Sequence, residues 1–171
     1  LPEDEETWDQ SYVMFATASG GVRRNKLSDF TKVNANGKIA MKLDDGDHLV
    51  RVRVFEEDHN VFLATRKGKC IRFPVTDVRV FSSRNSTGVR GIRLADDDEV
   101  IAMSGLNHIK VEVAERDDYL RSINAARRLV GGDYTDRAED KTRDDEAAAR
   151  LEEPLFQEMQ QEEEFILTVT E

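Results

Sequence analysis

One short module occurs twice in this chain and begins a third time. The first copy runs from Val13 to Arg24 and the second from Val61 to Arg72, and every position pairs at the offset of 48 that separates Val13 from Val61. Each copy reads as an apolar strand, a turn built on glycine (Ser19-Gly20-Gly21, then Lys67-Gly68-Lys69), and a returning strand that carries a basic residue. Asp29-Phe30 follows the first copy and Asp77-Val78 the second, and Ile166-Leu167-Thr168-Val169-Thr170 reads as the opening strand of another. A period of this size in strand-rich sequence predicts propeller-like blades.

The linking segments repeat the plan. Lys38 to Leu43 alternates between polar and apolar residues and is predicted as a half-buried strand, as is His48 to Phe55 after the turn Asp44-Asp45-Gly46-Asp47. In the second unit Val89 to Leu94, the acidic turn Asp96-Asp97-Asp98-Glu99 and Val100 to Met103 take the same places, now at an offset of 51, as between Gly37 and Gly88. The added residues fall in the serine-rich loop from Phe81 to Gly88, where extra length costs little. Each unit is thus expected to supply about four strands, the content of one blade.

After Val113 the pattern changes. Tyr119, Leu120, Ile123, Ala126 and Val130 lie at helical spacing before the stop Gly131-Gly132. The stretch Asp136 to Glu152 is also predicted helical, with Pro154 breaking or restarting it and Leu155, Phe156 and Met159 on one face. Thr65 and Thr170 are 105 residues apart where Thr17 and Thr65 are 48 apart, which predicts an insertion of 57 residues. The resulting boundaries are a first blade with an entering linker at 1–58, a second blade at 59–112, an acidic helical insertion at 113–163 and the start of a further blade at 164–171. The missing start methionine and the cut-off third copy predict a piece of a longer protein.

Charge divides along the same line. The chain carries a formal net charge of −10, yet residues 1–110 hold 17 Lys+Arg and 17 Asp+Glu, and residues 111–171 hold 8 and 18. The acidity therefore belongs to the insertion, and the repeats remain free to group cations on one face. No apolar run reaches the length of a membrane span, and the single cysteine, Cys70, fits a reducing compartment. His48, His59 and His108 lack metal-ligand spacing, and the acidic turns lack the spaced ligands of a calcium loop. The glycine turns precede strands and not helices, so they are not read as phosphate loops, and no nucleophile–base pair is recognisable. The basic residues carry the functional signal: Arg23, Arg24, Lys26, Lys32, Lys38 and Lys42 in the first unit, and Lys67, Lys69, Arg72, Arg79, Arg84, Arg90 and Arg93 in the second. Arg24 matches Arg72 and Lys42 matches Arg93. Two readings stay open, ordinary surface charge or a basic outer belt that contacts duplex phosphates without reading sequence.

The runs Phe62 to Phe73, Asp77-Val78-Arg79 and, most specifically, Thr87-Gly88-Val89-Arg90-Gly91-Ile92-Arg93-Leu94 resemble the C-terminal domain of DNA gyrase A. Gly37 to Asp47 is similar to the preceding blade of that family, and the likeness covers residues 11–106 and 165–171. The resemblance implies an all-β pinwheel of about six blades that exchange strands. It implies double-stranded DNA wrapped on a basic perimeter so that the holoenzyme introduces negative supercoils. It also implies partnership with the rest of gyrase A and with gyrase B, a bacterial cytoplasmic, nucleoid-associated location, and no membrane. Catalysis, ATP and Mg2+ would belong to the parent enzyme, with no catalytic residue, metal or cofactor in this piece. The family's signature box, Gln-Arg-Arg-Gly-Gly-Lys-Gly, is degenerate here, reading Val33-Asn34-Ala35-Asn36-Gly37-Lys38-Ile39 and Ser83 to Val89. That leaves the related C-terminal domain of topoisomerase IV, or a protein-interaction propeller fragment, as alternatives. Open strand edges additionally predict self-association.

Overall fold

A computed structural model of the chain describes residues 5–31, 35–83, 85–129 and 151–165. Two compact units divide it, Leu1–His108 and Ile109–Glu171. In the first, strands β1 (Tyr12–Thr17) and β2 (Gly21–Lys26) form a hairpin, β3 is Leu49–Phe55, and β4 (His59–Thr65) and β5 (Cys70–Pro74) form a second hairpin. Strands β6 (Val89–Arg90) and β7 (Val100–Asn107) follow. The sheets are antiparallel, ordered β3-β1-β2-β6 and β5-β4-β7.

The sequence repeat is a repeat of register. In the first hairpin Tyr12 faces Lys26 and Ala16 faces Val22; in the second Asn60 faces Pro74 and Ala64 faces Cys70. Each pair is the other moved by 48. The third strand pairs at the offset of 51: Val13 faces Val54 and Val61 faces Gly105, while Thr17 faces Leu49 and Thr65 faces Val100. Both ladders slip at the same place, between Ala16 and Thr17 and between Ala64 and Thr65. A bulge repeated at one station is a built feature that bends the strand.

β1 is apolar at nearly every position because both its faces are covered. Met14 and Ala16 enter a core with Val22, Phe55, Val61, Leu63, Val75, Val78, Ile92, Val100 and Met103. Val13 and Phe15 enter another with Trp8, Leu27 and Met41. In β4 the inward Val61 and Leu63 are fully buried, while Phe62 and Ala64 are only half-buried.

Two strand expectations change. Lys38 to Leu43 is not a strand, although Met41 is buried as its alternation implied. Lys42 donates its backbone N–H to the Ser86 carbonyl at 3.4 Å, but no ladder runs beside the segment, and a strand is defined by its neighbour. Of the predicted strand Val89 to Leu94 only Val89–Arg90 is strand, and it joins the sheet of the first repeat, opposite Val22 and Gly21. Thr87 to Leu94 therefore acts as a strap laid across the first repeat. Its glycines are explained by contact. Gly88 has φ +94 and a Cβ there would collide with the Val22 carbonyl oxygen, while one on Gly91 would meet Val22 Cγ1 at 2.7 Å. The equivalent Gly37 also has positive φ (+79), but nothing lies within 4 Å of it.

In the helical unit, α1 (Val113–Leu129) occupies the predicted helix, and α2 (Glu153–Gln161) carries Pro154 in its first turn. Tyr119, Ile123 and Met159 are buried together, flanked by Leu151, Leu155 and Phe156. Arg127 pairs with Glu163 at 2.5 Å. Burial, and then the Glu163 carboxylate, push the Tyr119 phenol up to about 12. Residues 136–150 of the other predicted helix and the strand 166–170 lie outside the described residues.

Candidate nucleic-acid interface

The two hairpin turns are copies in their hydrogen bonding. Gly20 and Gly68, both at positive φ, donate N–H to the carbonyls of Thr17 and Thr65 at 3.0 and 3.1 Å. The next N–H, of Gly21 or Lys69, goes to the hydroxyl of that threonine. The preceding N–H, of Ser19 or Lys67, goes to a carboxylate oxygen of Asp47 or Asp98 at 3.0 Å in both. The acidic turns of the sequence are thus clamps on the hairpins. Burial pushes the Asp47 carboxyl up, but the Ser19 and Thr17 hydroxyls and the N–H groups of Ser19 and His48 outweigh it and hold it below its ordinary value. Asp98 is lowered the same way: desolvation opposes, while the Lys67 N–H, Thr65 hydroxyl and Glu99 N–H prevail.

Glu99 and Val100 fasten the two turns side by side. Arg66 donates its N–H to the Glu99 carbonyl at 2.9 Å, and Val100 donates to the Ala18 carbonyl at 2.9 Å. The strap adds Gly91 N–H on the Gly20 carbonyl, also 2.9 Å. Cations gather at this end among the exposed acids Asp44, Asp45, Asp96 and Asp97. Lys67 donates its ammonium to the Asp96 carbonyl at 2.6 Å, and Lys69 donates to the carbonyl of the exposed Arg93. Lys42 and Arg90, both exposed, line a notch beside the first turn.

The remaining candidates are elsewhere, and two are corrected. Arg23 is wholly buried, its Nε donating to Asn25 Oδ1 at 2.8 Å and its Nη1 to Ser86, with the Phe81 ring 4.9 Å away. Arg24 is 6% exposed, with its guanidinium over the Tyr12 ring at 4.5 Å and Phe81 N–H on its carbonyl. Neither presents charge to a surface, because Val80, Phe81 and Ser86 lie against β2. Arg72, the counterpart of Arg24, is exposed and donates to the Asn107 carbonyl at 3.0 Å. Arg24 thus stacks within its own hairpin, whereas Arg72 reaches β7, the strand beside its hairpin. Lys26 and Arg79 are exposed at the other end of the sheets, Arg79 over Phe81 at 4.0 Å, and Lys38 donates to the Asp29 carbonyl at 2.6 Å. Lys32 and Arg84 lie outside the described residues.

Arg51, Arg53 and Arg66 are absent from the sequence candidates. Arg66 joins the turn end, paired with Glu99 at 2.5 Å, and its neighbour Lys67 was signal enough. Arg51 and Arg53 are exposed on the edge strand β3, where alternation with valine had suggested half-burial. Glu56, Asp58 and His59 bring ligand atoms within 4.8 Å, but His59 Nδ1 already accepts the Glu56 N–H at 3.1 Å.

A family model described as the DNA gyrase C-terminal domain, a β-propeller, matches residues 11–56 and 59–107. The chain belongs to that family. DNA gyrase A of Granulibacter bethesdensis is 47% identical over 178 residues, covering 99% of this chain. The chain spans 19% of that relative's length. A solved structure of a DNA gyrase A C-terminal domain matches with a TM-score of 0.52 at 30% identity, over 57% of this chain and 32% of the other. The C-terminal domain of a DNA topoisomerase IV matches with a TM-score of 0.57 at 21% identity, over 62% and 32%, which speaks to the fold alone. The match to the gyrase C-terminal domain family ends at residue 107, one residue before the boundary of the compact unit, whereas the likeness to the Granulibacter protein continues through the helical unit.

Proposed function

We propose that this chain is a DNA-binding part of a gyrase A protein, holding duplex DNA on the hairpin-turn end of its two sheets. The observation that carries the reading is the fastening of both turns to Glu99 and Val100, which groups Arg66, Lys67, Lys69 and Arg93. The contacts are with phosphates, so binding is indifferent to sequence and releases counterions. In the whole enzyme this hold bends the duplex so that strand passage introduces negative supercoils. Strand cleavage, ATP and Mg2+ belong to the rest of gyrase A and to gyrase B, in the bacterial cytoplasm.

The test uses full-length gyrase A with Lys67→Gln, Lys69→Gln and Arg93→Gln together. Duplex affinity is expected to lose salt dependence by a log–log slope of about 0.9 for each phosphate released, and supercoiling by the reconstituted enzyme falls with it. Unchanged binding and supercoiling overturn the reading and favour a protein-interaction role for this face.

A further inference from the structure

Lys42 and Arg90 differ from the other cations of the turn end because they converge on a concavity. The notch holds about 230 Å3 and is walled by the first hairpin turn, by residues 42–44 and by the strap from Thr87 to Arg90. Its cations come from different repeats and are held together by backbone. Lys42 N–H bonds the Ser86 carbonyl, and Arg90 pairs with Gly21 across the β2–β6 ladder. Gly21 and Gly88 line it and hold the strap close against β2. A Cβ on Gly21 would meet Thr17 Oγ1 at 3.0 Å, and one on Gly88 would meet backbone.

The charges in the notch are unequally committed. Asp47 accepts from the Ser19 N–H, the Ser19 hydroxyl at 2.6 Å and the His48 N–H at 2.9 Å, so its carboxylate faces the turn it clamps. Lys67 and Lys69 already donate to carbonyls. Among the described residues, neither Lys42 nor Arg90 enters an ion pair. One acid, Asp44, stands beside them without a hydrogen bond to its carboxylate among those residues. A guanidinium fork and an ammonium lining one open notch match a tetrahedral monoanion.

We propose that this notch seats a single backbone phosphate of the bound duplex, gripped by Lys42 from one repeat and Arg90 from the next. The proposal rests on the duplex-binding reading above and adds a signature that reading lacks. Two cations sharing one phosphate are coupled, so removing either releases the same contact.

The experiment measures duplex affinity against salt for full-length gyrase A carrying Lys42→Gln, Arg90→Gln or both. Each single variant and the double variant are expected to lose the same slope, about 0.9, and Lys67→Gln adds its own loss to any of them. Both side chains are exposed, and Arg90→Lys restores most of the slope. Asp44→Asn tightens binding by removing a like charge from the seat. Inorganic phosphate at constant ionic strength is expected to compete with the duplex in the wild type and not in the double variant; phosphate uptake by the notch with duplex affinity untouched by either variant reassigns the seat to free phosphate and overturns the proposal. Additive losses for Lys42 and Arg90 mean two phosphates and also overturn it, as do unchanged slopes. A wild type whose binding ignores salt instead removes the duplex reading itself.

Discussion

The two hairpin turns share one backbone and carry opposite chemistry. Thr17 to Gly21 is small and neutral, with Ala18 and Gly20 buried; Thr65 to Lys69 carries Arg66, Lys67 and Lys69, all exposed. The difference follows from what lies on top. The strap crosses the first turn, and a Cβ on Gly20 would fall 2.9 Å from the Ile92 carbonyl oxygen, whereas Gly68 has nothing within 4 Å. Sequence repeats in this fold therefore preserve hydrogen bonding and let side chains follow cover. At these two turns the covered copy is small and the open copy is cationic.

The sharpest way to break that comparison is at the paired glycines of the straps. Gly88→Ala places a Cβ against the Val22 carbonyl at positive φ and is expected to destabilise the first unit by about 3 kcal/mol. Gly37→Ala, with similar φ and open space, should cost about 1 kcal/mol. Denaturant titration distinguishes them, and equal losses would mean that the strap does not lie tightly on β2. The paired arginines come next. Arg24→Ala removes a buried guanidinium from the Tyr12 ring and is expected to cost about 2 kcal/mol, while Arg72→Ala costs less than about 1 kcal/mol. Neither should change the salt slope of DNA binding in protein that remains folded, and a change for Arg24 would return it to the interface.

Converting the open turn into the covered one tests function directly. Lys67→Ser with Lys69→Gly should leave the melting temperature nearly unchanged and lower the salt slope by up to about 1.8 if each lysine neutralises one phosphate. The smallest effect is in acid. The folded Asp47 carboxyl titrates below its ordinary value, so the unfolded chain binds more protons in that window. Its contribution is complete above pH 3.8, the unfolded value, and is lost as pH falls through the lower folded value. Asp47→Asn should lower stability slightly at neutral pH and flatten the acid limb of a stability–pH curve, so that mutant and wild type converge in acid.

Much of the fold was legible because the repeat carries register. An offset of 48 between the hairpins and 51 between their third strands was readable from Val13 and Val61 and from Gly37 and Gly88, and the ladders keep both numbers. What sequence could not supply was which strand sits beside which. Lys38 to Leu43 has the alternation of a strand, yet only Met41 of its apolar side is buried while Ile39 and Leu43 are exposed, because no neighbouring strand pairs with the segment. The site was less legible than the fold. Arg23 and Arg24 look like their exposed neighbours in one dimension, because nothing near them in sequence announces that Val80, Phe81 and Ser86 will cover them. Arg66 was adjacent to two chosen lysines, and only the bond to Glu99 places it at the same end.

The carboxylates of Asp47 and Asp98 grip the backbone at the middle of each turn, and a backbone amide is the same whatever side chain it carries. The position they hold is serine in one repeat and lysine in the other. A blade anchored this way can exchange a neutral tip for a charged one without rewiring its hydrogen bonds. The grip of such a protein on an anionic polymer is then adjustable tip by tip, on a scaffold that does not register the change.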